Sequence, residues 1–190
     1  MRRKSLACIA ASLVFATLAP LKSADATVVR GFSLPGLSSE AHAIVRGTVI
    51  HQETVYDARW RRVYTHSWIR VEDRLWGPSD RGDLIVIRQI GGELDGVLSM
   101  VVGTARMFVG DEVVAFTRQG DGLHYLVGMA QGLYHVDRSN PAQPRLSRGV
   151  GGIKMMPAVG PYRTVARDRM TLEQLVDSVE RVNRDLRRAP

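Results

Sequence analysis

The chain has almost no thiol chemistry: Cys8 is its one cysteine. A single cysteine excludes a disulfide scaffold. The five histidines, His42, His51, His66, His124 and His135, include no His-Glu-x-x-His or His-x-His spacing. They give no metal-ligand pattern, and we expect no metal and no cofactor. Gly-x-Ser-x-Gly is missing as well, and Ser67 and Ser99 have no nearby partner signature, so no catalytic residue is expected. Past residue 26 no stretch of 18 uninterrupted apolar residues occurs, so the mature chain should hold no transmembrane segment. No repeat of fixed period is visible.

What is present is the composition of a folded domain. The 190 residues are 45% hydrophobic and 24% charged, which suits one domain with one sizeable core and excludes disorder over the whole chain. The formal charge of +7 is unevenly spread. Residues 1–26 carry four bases against one acid, residues 27–144 twelve against thirteen, and residues 145–190 ten against five. The middle is therefore nearly neutral and the end is basic. Any anionic-surface binding is expected to follow that tail, although Arg181, Arg184, Arg187 and Arg188 also suit a helix C-terminus.

The first segment reads as an address. Met1-Arg2-Arg3-Lys4 is a basic start, Leu6 to Leu21 is an apolar run, and Ala24-Asp25-Ala26 supplies small residues at a cleavage site. That order predicts a secretory signal peptide over 1–26, cut between Ala26 and Thr27. Cys8 lies at the start of the apolar run, where a lipobox cysteine must follow it, so lipidation is rejected. The protein is expected to be exported, periplasmic or secreted, from a bacterium.

A lead segment, 27–41, follows, in which Ser38 or Ser39 caps one helical turn. Residues 42–138 read as mainly β: a five- to six-stranded OB-like barrel with a C-terminal α-helix behind it. Ala43 to Ile50 is a strand with Gly47 inside it, a bulge or sharp corner. In 63–71, Val63, Thr65, Ser67, Ile69 and Val71 alternate with Tyr64, His66, Trp68 and Arg70. Further strands are expected over 83–90, 113–117, 123–127 and 132–136, with Gly91 to Gly96 a loop and Gly120-Asp121-Gly122 a tight hairpin turn. Residues 139–170, punctuated by Pro141, Pro144, Pro157 and Pro161, read as an irregular mobile connection. The helix 171–188 opens on a capping box, Thr171 with Gln174. It carries Leu172, Leu175, Val176, Val179, Val182 and Leu186 on one face, which should pack on the barrel.

Ala43-Ile44-Val45-Arg46-Gly47-Thr48-Val49, Leu75-Trp76-Gly77 and Val109-Gly110-Asp111-Glu112-Val113-Val114-Ala115-Phe116 form a skeleton of aliphatic positions and structural glycines. Over about residues 40–136 it resembles the netrin-like, tissue-inhibitor-of-metalloproteinase type of domain, an OB-fold barrel. It resembles more closely a family of uncharacterised exported bacterial proteins with the same skeleton. The resemblance implies the fold. It does not carry over protease inhibition, which in the animal inhibitors uses an N-terminal cysteine, where this mature chain would begin with Thr27.

Trp60, Arg62, Tyr64, Trp68 and Arg70 are the partner-binding candidates, with Arg61 and Trp76 interleaved among them. Rings beside arginine on an OB barrel are what single-stranded nucleic acid would use, but export argues against that partner. Another exported protein or an envelope polymer is expected instead. Glu93 and Asp95 are the one pair of neighbouring carboxylates in a glycine-rich stretch, and they read as a loop crossing the barrel end. The expected function is a non-catalytic exported binding or regulatory module, protein-interacting or protease-regulating. The alternatives are a structural envelope accessory without a specific ligand and, more distantly, an unrecognised hydrolase.

Overall fold

Alternation of β-branched and polar residues makes strands of most of the chain's middle. The computed structural model describes residues 28–78, 83–150, 154–156 and 170–188. The expected leader 1–26, the Ala26/Thr27 cut and residues 157–169 of the connection lie outside the described residues. The elements run β1 (Val28–Arg30), α1 (Leu34–Glu40), β2 (Ala43–Asp57), β3 (Arg62–Trp76), β4 (Leu84–Ile90), β5 (Gly92–Leu94), β6 (Val97–Ser99), β7 (Glu112–Gly120), β8 (Leu123–Leu126), β9 (Leu133–Asp137), β10 (Arg145–Ser147), β11 (Lys154–Met156) and α2 (Leu172–Arg188). The protein is mainly β with a C-terminal helix, as its sequence pattern leads one to expect.

Seven strands form one sheet in the order β10-β9-β7-β2-β3-β4-β8, and β7 also pairs with β8. Five strands therefore make a ring: β2, β3, β4, β8 and β7. Its pairs are antiparallel except β4 with β8, which meet in parallel at Ile87 and His124. Successive side chains point to opposite faces of a strand, so the ring has two apolar surfaces. Val45, Val49, Ile69, Ile85, Ile87, Val113 and Ala115 pack inside with Met107. Ile44, Val114 and Phe116 face the other way, where Leu37 of α1 and Leu175 and Val179 of α2 close over them with Tyr134 and Leu146.

Gly47 marks a register shift between β2 and β3, as a strand-interior glycine suggests. A Cβ there would stand 2.2 Å from the Arg70 carbonyl oxygen, so only glycine lets the two backbones approach. The strands run longer than the apolar pattern implies: β2 continues to Asp57 because Gln52, Thr54 and Val55 keep pairing with β3 after the core ends. Gly91 to Gly96 is not a plain loop. Gly92–Leu94 pairs with Val97–Ser99 across Asp95 and Gly96, both at positive φ (52° and 73°), the turn an Asp-Gly pair favours. Gly120-Asp121-Gly122 makes the expected hairpin turn.

The lead differs from expectation. Ser33, not Ser38 or Ser39, caps α1, accepting from the Gly36 amide at 3.3 Å, and Pro35 lies in the first turn where its missing N–H costs nothing. Ser38 and Ser39 are inside the helix, bonded back to Leu34 and Gly36. The buried Gln131 then holds the lead like a strand: its Oε1 accepts from Phe32 N at 2.8 Å and its Nε2 donates to Arg30 O at 2.9 Å. Within the connection, β10 extends the sheet beside β9 and β11 runs parallel to β1.

The capping box of α2 forms as its sequence predicts, with Thr171 N donating to Gln174 Oε1 and Gln174 N to Thr171 Oγ1. Leu175 and Val179 are buried, but Asn183 is buried with them while Leu186 is exposed. The apolar stripe therefore turns away from the sheet over its last two turns.

Candidate functional site

The outer surface of β3 and β4 is built by parity. Ser67 and Ile69 point into the ring, so Arg62, Tyr64, His66, Trp68 and Arg70 share the opposite face. Register sets His51, Glu53 and Val55 of β2 beside Trp68, His66 and Tyr64, and Val86 and Arg88 of β4 beside Trp68 and His66. Trp68 is the centre of a ladder: His51 lies 4.9 Å from its ring and His66 6.1 Å, edge-on. Tyr64 is covered by the Arg88 guanidinium at 3.7 Å, a cation–π contact. Tyr64, His66 and Trp68 are half-buried, whereas His51, Arg62 and Arg70 meet solvent.

Trp60 is not on the strand. It sits in the β2–β3 turn, 58% exposed, with Arg59 stacked 5.2 Å from its ring. Asp57 makes that turn by accepting from the Arg59 and Trp60 amides, and its other oxygen takes the Arg88 guanidinium. The Arg88 hydrogen bond, followed by those amides, holds the Asp57 carboxyl below its usual range. His66 is pushed the same way, by burial first and then by the Arg88 charge. Its Nε2 is buried with no hydrogen-bond partner, so the neutral ring is the form this site accepts.

The structure thus brings Arg62, Tyr64, Trp68 and Arg70 onto one face and places Trp60 at its end. Trp76 leaves this group: it lies at the far end of β3 beneath Arg187 of α2, 4.9 Å from its ring. His66 and His124 do not meet, because His124 faces inward and bonds Thr117 Oγ1 at 3.0 Å. Glu93 and Asp95 are exposed on the β5–β6 hairpin. Among the described residues no three His, Cys, Asp or Glu side chains gather where they could hold a metal ion.

Three features escaped the sequence reading. The Asp57–Arg88 clamp joins residues 31 apart; its one signal was a lone arginine within an apolar strand. A second ionic cluster sets Arg46 between Glu72 (3.0 Å), Asp73 (2.6 Å) and Glu112 (2.6 Å), with Arg138 also on Glu112. Arg138 first, and Arg46 after it, hold the Glu112 carboxyl below its ordinary value. Third, a cavity of about 370 Å³ opens at one end of the ring between His42, Arg74, Trp76, Gln119 and His124. His42 Nδ1 accepts there from Gln119 N, across 77 residues of chain, a separation with no local sequence signature. Among the described residues no helix is long and apolar enough to cross a membrane. No protein-family model and no curated protein matches this chain.

Proposed function

We propose that this protein is a non-catalytic exported binding module on an OB-like barrel, which takes another exported protein or an envelope polymer on the outer face of β3 and β4. The ring order supports the OB-like reading. Numbered along the chain, its strands run first, second, third, fifth, fourth and back to the first. In OB-folds the face of the second and third strands, with the loop joining the first two, is where extended ligands lie. Here those strands are β3 and β4, and that loop is the turn bearing Trp60.

The observation that carries the proposal is the aromatic ladder on this face, His51–Trp68–His66 with Tyr64 under Arg88, leading to an exposed Trp60. Flat rings with arginine beside them offer contact area at low entropic cost, the composition of binding hot spots. Of the two carboxylates beside the ladder, Asp57 is tied to Arg88 and Glu53 stands exposed opposite His66.

The test is recovery of partners from the producing cell's own envelope and secretome by wild type and by the Trp68→Ala, Arg70→Ala double variant. A partner retained by wild type and lost by the variant supports the face; equal recovery by both overturns it. Because Trp68 is half-buried, Trp60→Ala serves as a second variant whose side chain has little packing to lose, and it should weaken the same complex.

A further inference from the structure

Six large apolar side chains stand exposed along one short segment: Val97, Leu98, Met100, Val102, Phe108 and Val109, between 49% and 69% accessible. A folded chain rarely leaves so many in one place without a surface to meet. The segment closes the end of the ring opposite the cavity. Its root is fixed by Gly91 N donating to Val63 O and Thr65 Oγ1 donating to Gly91 O, both at 2.8 Å. Farther on, Gln89 Nε2 holds Ala105 O, Met107 plugs the inner core, and Gly110 N holds Val49 O beside the exposed Ile50.

Val63, Thr65 and Gln89 belong to the end of the sheet from which the β2–β3 turn projects. That turn carries Arg59, Arg61 and Arg62 around Trp60, and Tyr56 precedes it; both rings are more than half exposed. Among the described residues none of these three arginines, nor Arg106 of the apolar segment, joins an ion pair with a carboxylate. Asp57, the acid at the turn, is occupied by Arg88. The other carboxylates near this end are Glu53, exposed on β2, Glu93 and Asp95 on the hairpin, and Asp111, which is taken up by the Phe108 amide and His135.

We propose that this end of the ring is a membrane-docking surface. The apolar segment enters the headgroup boundary of an anionic phospholipid bilayer, and Arg59, Arg61, Arg62 and Arg106 meet its phosphates. Apolar knobs on a hairpin tip and an irregular loop, flanked by Trp, Tyr and Arg, are the chemistry that a bilayer interface selects. Such binding shares Trp60 and Arg62 with the end of the proposed partner face and leaves Tyr64, His66 and Trp68 clear of the lipid. It does not rest on the partner-binding reading.

The experiment uses the chain from Thr27 onward, which keeps every described element and removes the apolar leader that would itself bind lipid. Co-sedimentation is measured with phosphatidylcholine vesicles, with and without phosphatidylglycerol. Binding is expected to the mixed vesicles and to weaken as salt rises. Leu98→Asp with Met100→Asp should reduce it roughly ten-fold or more, since two exposed apolar groups are lost from the contact. Arg61→Gln with Arg62→Gln should reduce it and flatten the salt dependence.

A tail variant, Arg184→Gln with Arg188→Gln, should bind as wild type. Leu98→Ser, the milder change, checks that loss does not come from misfolding. The proposal is overturned if mixed vesicles are not bound, if the Leu98 and Met100 variants bind unchanged, or if the tail variant loses binding. It is equally overturned if wild type is a dimer that these same variants make monomeric without any change in lipid binding.

Discussion

Gly47→Ala tests the packing of the ring at one atom. The new Cβ would lie 2.2 Å from Arg70 O, 3.0 Å from Arg70 C and 2.9 Å from Ile69 Cγ2. Two of those atoms are backbone and cannot rotate aside. To restore an ordinary carbon–oxygen separation, β3 must recede by about 1 Å, which stretches the ladder beside Gly47 on the strand that carries the candidate face. Overpacking of this kind costs about 1–3 kcal/mol, and a clash with backbone belongs at the upper end. Loss of glycine's freedom in the unfolded chain returns about 0.4–1 kcal/mol. The net is a destabilisation of about 2 kcal/mol, or roughly 4–8 °C in Tm for a chain of this size. Gly149→Ala is the control: its Cβ meets nothing within 4 Å, and it should stay within about 0.5 kcal/mol of wild type. Thermal melts followed by circular dichroism read both variants. If Gly47→Ala melts with wild type, the close approach of β2 and β3 is not what the register shift serves, and the reasoning fails.

Acid should weaken the fold in two steps. His66, held below its ordinary 6.5 by burial and by Arg88, binds fewer protons folded than unfolded, so its contribution is complete above 6.5 and is lost as pH falls below it. Glu112 and Asp57, held below 4.5 and 3.8 by their arginines, have the same sign and act lower. Tm measured against pH should therefore decline first below about 6.5 and again below about 4.5. His66→Phe should remove the first decline and leave the second. Separately, Leu175→Ala, which empties a buried site between α2 and the sheet, should cost about 2–5 kcal/mol in urea denaturation; a loss under about 0.5 kcal/mol would mean that α2 is not part of the cooperative fold.

Much of the local structure was legible because its cause is local. Alternation alone sorted Tyr64, His66, Trp68 and Arg70 from Thr65, Ser67 and Ile69, and the capping box announced α2. The ring closure and the clamp on Asp57 were not legible, because each joins residues far apart and nothing nearby records the partner. Parity also said which residues share a face but not which face meets solvent: that depends on where the helices settle. Trp76 shows the limit. It follows the other aromatics in sequence, yet strand length carries it to the far end of β3, beside Arg187.

The two bonds from Gln131 to the backbone on either side of Gly31 span 99 and 101 residues, and so tie the front of the chain to a segment made much later. Synthesis delivers all five ring strands before residue 127, with most of the inner core already present. The amide that fastens Phe32 comes only afterwards, and α2, which α1 must wait for to bury Leu37, comes last of all. In chain order, all five ring strands precede the residues that fasten the lead segment and close over Leu37. Loss of the last helix would consequently be felt at the front of the molecule, as a lead segment that never locks.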